Sequence, residues 1–188
     1  MGMSAAIDFY TGEVVRELNA REPRHWPRYE TVRGELLVSP APLPWHQEIV
    51  GRLFVALHLY LEREPAGHVW SAPADISWGL PDNLVQPDVF ATRIDEARAM
   101  EWSRIRHLLL AAEVLSPSSA RADRFAKRRL YQEQDTPLYW VVDSEAHTAE
   151  VWTPEERLPR PEREILTWHP SSASAPFHLK LDELFRPL

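Results

Sequence analysis

The run Leu108-Leu109-Leu110-Ala111-Ala112 is apolar at every position and closes on Glu113. A strand that shows apolar side chains on both alternating faces must be covered on both, so this run predicts a central strand of a layered sheet rather than one wall of a sandwich. Ser116-Pro117-Ser118-Ser119 then stops the strand and starts a helix over residues 120–134, with Phe125, Leu130 and Tyr131 among its apolar contacts. Pro137 opens another strand at 138–142, which turns at 143–147 into a hairpin partner over 149–152. Strand, helix, strand in that order is the signature of an α/β layer architecture.

The remaining elements fit around that unit. Ile49, Val50, Leu53, Phe54, Leu57, Tyr60 and Leu61 recur at three and four residues, predicting a long helix over 45–63 that Pro65 and Gly67 end. Before it, the pattern predicts a helix over 11–20 and two short strands in 29–38 hinged at Arg33-Gly34, with Tyr29 and Thr31 on one face and Glu30 and Val32 on the other. Apolar runs at 68–76, broken near Pro73, and at 85–91 supply further strands, and 93–104 holds a short surface helix. Residues 154–161 are a proline-rich loop, 165–168 a strand, and 177–184 a closing strand with a helical turn. With 188 residues, 44% of them hydrophobic, one domain is expected. It comprises an N-terminal helical extension (1–28), a core (29–152) and C-terminal strands (153–188).

The chemistry-bearing residues are few and ordered. Pro87-Asp88 leads into Val89-Phe90, so a proline fixes the approach of the strand and aims the carboxylate. Glu113 ends the apolar run, and a buried carboxylate requires a cation, a donor or a metal. The basic residues are 19 Arg and only two Lys, Lys127 and Lys180. Two carboxylates on neighbouring strands with a lysine nearby suit a Mg²⁺-dependent phosphodiesterase site. Taken singly, Asp88 also reads as a turn cap and Glu113 as an arginine partner. Asp123, Lys127 and Tyr131 fall at i, i+4 and i+8 on one helical stripe. Glu35 and His46 flank the long helix and are candidates for the same pocket, a cap or surface position being the alternative for His46.

The balance of 21 basic against 28 acidic residues gives a net charge of −7, the wrong sign for gripping nucleic acid through the overall field. A phosphate contact must therefore be local, and Arg121, Arg124, Arg128 and Arg129 beside Lys127 form the densest basic cluster. The eight tryptophans are scattered and read as core. The absence of cysteine excludes disulfides and thiolate metal sites. With no signal-like N-terminus and no apolar run near the roughly 18 residues of a membrane span, a cytoplasmic protein is expected.

Taken together and in order, Pro87-Asp88, Glu113-Val114-Leu115-Ser116-Pro117-Ser118, Asp123 with Lys127 and Tyr131, and Leu138-Tyr139-Trp140-Val141-Val142-Asp143 resemble the Uma-two family of endonuclease-like proteins. That family lies in the PD-(D/E)XK restriction-endonuclease-like superfamily. The likeness runs from about Tyr29 through Trp152, taking in Gly34-Glu35-Leu36, Ser39-Pro40 and His46, and resumes at Leu181-Asp182-Glu183-Leu184-Phe185. It implies a restriction-endonuclease-like mixed β-sheet flanked by helices, with Asp88 and Glu113 binding Mg²⁺ (Mn²⁺ as substitute) and a lysine as third partner. The superfamily's acid-x-Lys is absent, since Leu115 stands two residues after Glu113; the resemblance moves the lysine to the following helix, at Lys127. The expected function is a metal-dependent DNA endonuclease. The alternatives are an inactive nuclease-fold binding or regulatory module, and a structural homodimer whose acids only form ion pairs.

Overall fold

The computed structural model describes residues 8–24 and 26–188. Helix α1 (Gly12–Arg21) starts where the Thr11 hydroxyl accepts from the Val14 amide, a side-chain cap for one of the free amides of the first turn. Strands β1 (Arg28–Val32) and β2 (Glu35–Ser39) form an antiparallel hairpin. Its two-residue turn is Arg33-Gly34, both left-handed at φ 53° and 80°, which matches the twist of the paired strands. Helix α2 (Pro44–Arg63) begins with proline in its first turn and buries Ile49, Leu53, Leu57, Tyr60 and Leu61.

The main sheet has six strands in the order β3 (His68–Ser71), β4 (Val89–Thr92), β5 (Leu108–Val114), β6 (Tyr139–Asp143), β7 (Thr148–Trp152) and β8 (Arg160–Glu162). Only β5 and β6 pair in parallel. Parallel neighbours need a crossover, here a helix over residues 120–133 whose π-helical portion is Ala122–Lys127 and whose final α-helical portion is α4 (Arg128–Glu133). Short helix α3 (Ile94–Ala97) and a 3₁₀ turn at Trp102–Arg104 join β4 to β5. A second hairpin, β9 (Ile165–Trp168) with β10 (Phe177–Lys180), and the turn α5 (Leu181–Leu184) end the chain.

Alternation along β5 divides the core in two. Leu110, Ala112 and Val114 pack with α2 and with Trp140, Leu166 and Phe177 on one face. Ala111 packs on the other with Leu130, Tyr131, Tyr139 and Trp152, and an irregularity in the β4–β5 register, where Ala91 faces Leu110 but Thr92 faces Leu108, turns Leu108 to that side as well. Glu113 shares the parity of Ala111, so its side chain is delivered to the crossover-helix face. The result is the mixed sheet flanked by helices that the resemblance implies.

Four sequence expectations shift. The apolar runs 68–76 and 85–91 pair as strands only at their far ends, with a single bridge between Ile76 and Val85 inside the loop. Arg160–Glu162 joins the sheet edge, where Pro161 has no inner ladder position to spoil. Six of the fourteen residues of the crossover helix, Ala122–Lys127, are π-helical rather than α-helical. Phe125 is therefore not a core contact but is 62% exposed.

The junction between α2 and β3 is tight. A Cβ on Gly67 would lie 2.6 Å from the Thr92 carbonyl oxygen and 2.8 Å from Leu109 Cδ1. Backbone cannot rotate aside as a side chain can, so Gly67→Ala is expected to cost about 1–3 kcal/mol. Urea denaturation would read this as a lower midpoint at unchanged slope; an unchanged midpoint would mean that the junction relaxes freely.

Candidate active site

Asp88 sits one residue before β4, and β4 pairs with β5 so that Val89 faces Ala112. This register brings Asp88 beside the end of β5, where its Oδ2 accepts from the Val114 amide at 2.9 Å. His46, in the first turn of α2, places Nε2 3.2 Å from the same oxygen, and Arg28 Nη1 stands 4.0 Å from Oδ1. Burial alone would raise the Asp88 pKa, but the hydrogen bond and charge of His46, then Arg28 and the Val114 amide, hold it below the usual carboxylate range. Reciprocally, burial pulls His46 down, and its Asp88 partner more than offsets this and raises it. The surface or cap position considered for His46 is thus replaced by direct contact with Asp88.

On the crossover-helix side, Lys127 Nζ lies 2.9 Å from Glu30 Oε2, 3.2 Å from Glu113 Oε1 and 3.4 Å from Asp123 Oδ1. Tyr131 donates its hydroxyl to Glu113 Oε1 at 3.0 Å. Glu30 is held from its other side by the Gln86 amide at 2.7 Å, and the Tyr139 hydroxyl fixes the Asp123 carbonyl at 2.9 Å. All are buried, from 0% exposure for Tyr131 to 6% for Gln86.

The π-helical portion accounts for the alignment of three of these side chains. Residues four apart on an α-helix drift by roughly 40° per step, so Asp123, Lys127 and Tyr131 would fan out along a regular helix. The wider π turn, with the Arg128 amide bonded back to the Asp123 carbonyl, reverses that drift over the first step. The stripe stays aimed at Glu113.

Three carboxylates, Glu30, Glu113 and Asp123, therefore contact one ammonium, and Asp88 acts on it through charge alone. Burial pushes the Glu113 pKa well above its ordinary value, with Lys127 opposing and Asp123, Asp88 and Glu30 reinforcing. Burial pushes Asp123 up to about 6 against the pull of Lys127. Lys127 shows the converse: burial would lower it, yet Glu113, Glu30 and Asp123 raise it well above the ordinary lysine value, so it stays charged. Tyr131 is also raised, by burial and then by Glu113.

The site residues expected from sequence divide cleanly. Asp88, Glu113, Asp123, Lys127 and His46 line one cleft of about 390 Å³, with Tyr131 behind Glu113. Glu35 does not join them; at the turn end of its hairpin it lines a separate depression with Arg121 and Arg129. The arginine cluster also splits. Arg124 is bound to Glu150 at 2.6 Å and Asp143 at 3.0 Å. Arg128 stacks on Trp152 and donates to Gln132. Only Arg121 and Arg129 are exposed.

Glu30 and Arg28 were not singled out from sequence. For Glu30 a signal existed, since on a strand it shares a face with the apolar Val32. Nothing local marked Arg28, which reaches Asp88 by spanning from β1.

The donor set suits a hard dication. Both hydrogen bonds to the Glu113 carboxylate fall on Oε1 and the contacts within 3.2 Å of Asp88 fall on Oδ2. Glu113 Oε2 and Asp88 Oδ1 thus accept no hydrogen bond among the described residues. No group of three or more His, Asp or Glu residues forms a ready metal cage among the described residues.

Comparison with known proteins bears on this arrangement. Residues 15–179 match the family model Uma2, described as "Putative restriction endonuclease". Among solved structures, one described as "a putative nuclease belonging to DUF820" from Anabaena variabilis ATCC 29413 superposes with a TM-score of 0.69. It shares 21% identity, covering 85% of this chain and 90% of that one, a likeness of fold. No curated protein matches.

Proposed function

We propose, from the premise that this chain belongs to the Uma2 family, that it is a metal-dependent DNA endonuclease with Asp88 and Glu113 as metal ligands and Lys127 as the third catalytic group. The observation that carries this reading is the convergence of the three, from separate elements, on one cleft with a surplus of buried negative charge. Arg28 and His46 offset the charge of Asp88, but Lys127 alone meets Glu30, Glu113 and Asp123, more carboxylates than one ammonium can pair with.

Mg²⁺, or Mn²⁺ in its place, would be held by Asp88 and Glu113 and would supply polarisation of the scissile phosphate and a water of lowered pKa. His46 and the Val114 amide hold one oxygen of the Asp88 carboxylate and leave the other free of hydrogen bonds among the described residues. Tyr131 does the same for Glu113. Lys127, kept charged by its neighbours, would place positive charge beside the attacking water or the phosphate oxygens on which charge develops. Asp123 orients the ammonium at 3.4 Å.

Calorimetric titration with Mn²⁺ tests the ligand assignment without depending on substrate choice. Wild-type protein should bind saturably, and Asp88→Asn and Glu113→Gln should each weaken binding by about tenfold or more. DNA cleavage should require Mg²⁺ or Mn²⁺. Absence of both saturable binding and cleavage would replace this reading with that of a nuclease-fold binding module.

A further inference from the structure

Acids this deep cannot be reached by a phosphate that stays on the surface of a duplex. The floor of the cleft is formed by Asp88, Glu113, Asp123 and Lys127, all nearly inaccessible, while its walls are Trp26 and the loop Pro40 to Leu43. At about 390 Å³ it is near the lower end of the size of small-molecule sites, room for about one nucleotide. Double-stranded DNA is stiff over about 150 base pairs and presents its backbone on a broad convex face. A single strand can bend one phosphate down to the floor.

A route for the rest of such a strand lies beside the cleft. Ser118 lines both the cleft and the neighbouring depression of about 470 Å³, so the two adjoin at that residue. The depression is lined by Arg121 and Arg129, neither of which forms an ion pair among the described residues, and by the largely exposed ring of Phe125. Unengaged guanidinium groups and an exposed aromatic ring are the two components of sequence-tolerant single-strand binding: phosphate contacts and a stacking platform for a base. Arg33 also borders this groove but is committed to Glu133, and Glu35 is its one lining acid. Phosphate contacts are therefore confined to the crossover-helix side. The net charge of −7 works against binding outside this local track.

We infer that the substrate engaged by this site is single-stranded DNA, with one nucleotide in the cleft and the adjoining strand laid over Ser118 along Arg121, Phe125 and Arg129. This rests on the endonuclease reading for the identity of the polymer but is tested by binding alone. Fluorescence anisotropy in Ca²⁺ buffer, with a labelled oligothymidine and with the same strand annealed to oligoadenine, is the measurement. The single strand should bind at least about tenfold more tightly than the duplex. Phe125→Ala should weaken single-strand binding by about tenfold, in line with the loss of one stacked base. In Arg121→Glu with Arg129→Glu, the slope of log affinity against log salt should fall by about 0.7 for each phosphate that no longer meets a guanidinium. Arg163→Glu, outside the groove, should change neither. Circular dichroism would verify that these surface variants stay folded.

Equal or tighter duplex binding, or wild-type affinity in both groove variants, would overturn the inference. Metal-dependent cleavage together with that outcome would leave the endonuclease reading standing and the single-strand track refuted. Groove-dependent binding without cleavage would do the reverse.

Discussion

Lys127→Ala is expected to destabilise the protein by about 3–5 kcal/mol, the range for removing one partner of a buried charge network. It should also lower turnover by about 10²-fold or more. The two effects share one cause. Lys127 is the ammonium within 3.4 Å of Glu30, Glu113 and Asp123, and without it three buried carboxylates face one another. Protonation would relieve part of the repulsion, so the loss in urea denaturation should be larger at neutral than at acidic pH. Metal affinity should change little, because the open oxygens of Asp88 and Glu113 are not those that meet the lysine.

Lys127→Arg separates position from charge. It should recover much of the stability but little turnover, since a planar fork cannot stand where a compact ammonium bridges three acids. Full activity in Lys127→Ala would remove the lysine from the mechanism.

In chelator, stability attributable to Asp123 is expected to fall as pH rises from about 4 through about 6. Its pKa is about 6 in the folded protein against an ordinary 3.8, so the folded state binds the proton more tightly. The unfolded state then holds fewer protons across that interval and stability declines with pH, by about 3 kcal/mol in all. Glu113, raised in the same direction, extends the decline to higher pH. Asp88 has the opposite sign: its pKa is depressed, so its contribution is present above 3.8 and is lost as pH falls below that value. Lys127 contributes fully below 10.5 and loses its contribution only above it.

Surface carboxylates also titrate, so the measurement is the difference between wild type and Asp123→Asn in urea melts across this range. A difference that is flat or rises with pH would contradict the assignment. Added Ca²⁺ or Mn²⁺ competes with the proton for Glu113, so the stabilisation it gives should grow as pH rises and Glu113 ionises.

Much of this architecture is written in local pattern. The doubly apolar run of β5, the three-and-four spacing of α2 and the Arg33-Gly34 turn each specify an element with its partner faces. The acids were legible because a charge that closes an apolar run has few places to go. Glu30 was less so, because a single charged residue in an alternating strand looks like its solvent side, and only the company of Val32 argues otherwise. The arginines show what no local pattern carries. Arg124 and Arg128 are absorbed by Glu150, Asp143 and Trp152, partners supplied by the β6–β7 hairpin, whereas Arg121 and Arg129 point elsewhere on the same helix. Phe125 departs from expectation for a related reason: a 3.6-residue period gives no warning of a wider turn.

That wider turn makes chain length part of the active site. Losing one residue within Ala122–Lys127 would restore the regular hydrogen-bond ladder and swing Lys127 by about 100° while drawing it back by about 1.5 Å. Every charged side chain could be retained and the ammonium would still leave the carboxylates. The segment acts as a ruler between Glu113 and Lys127, so that here deletions and insertions are a more severe class of change than exchanges of residue type.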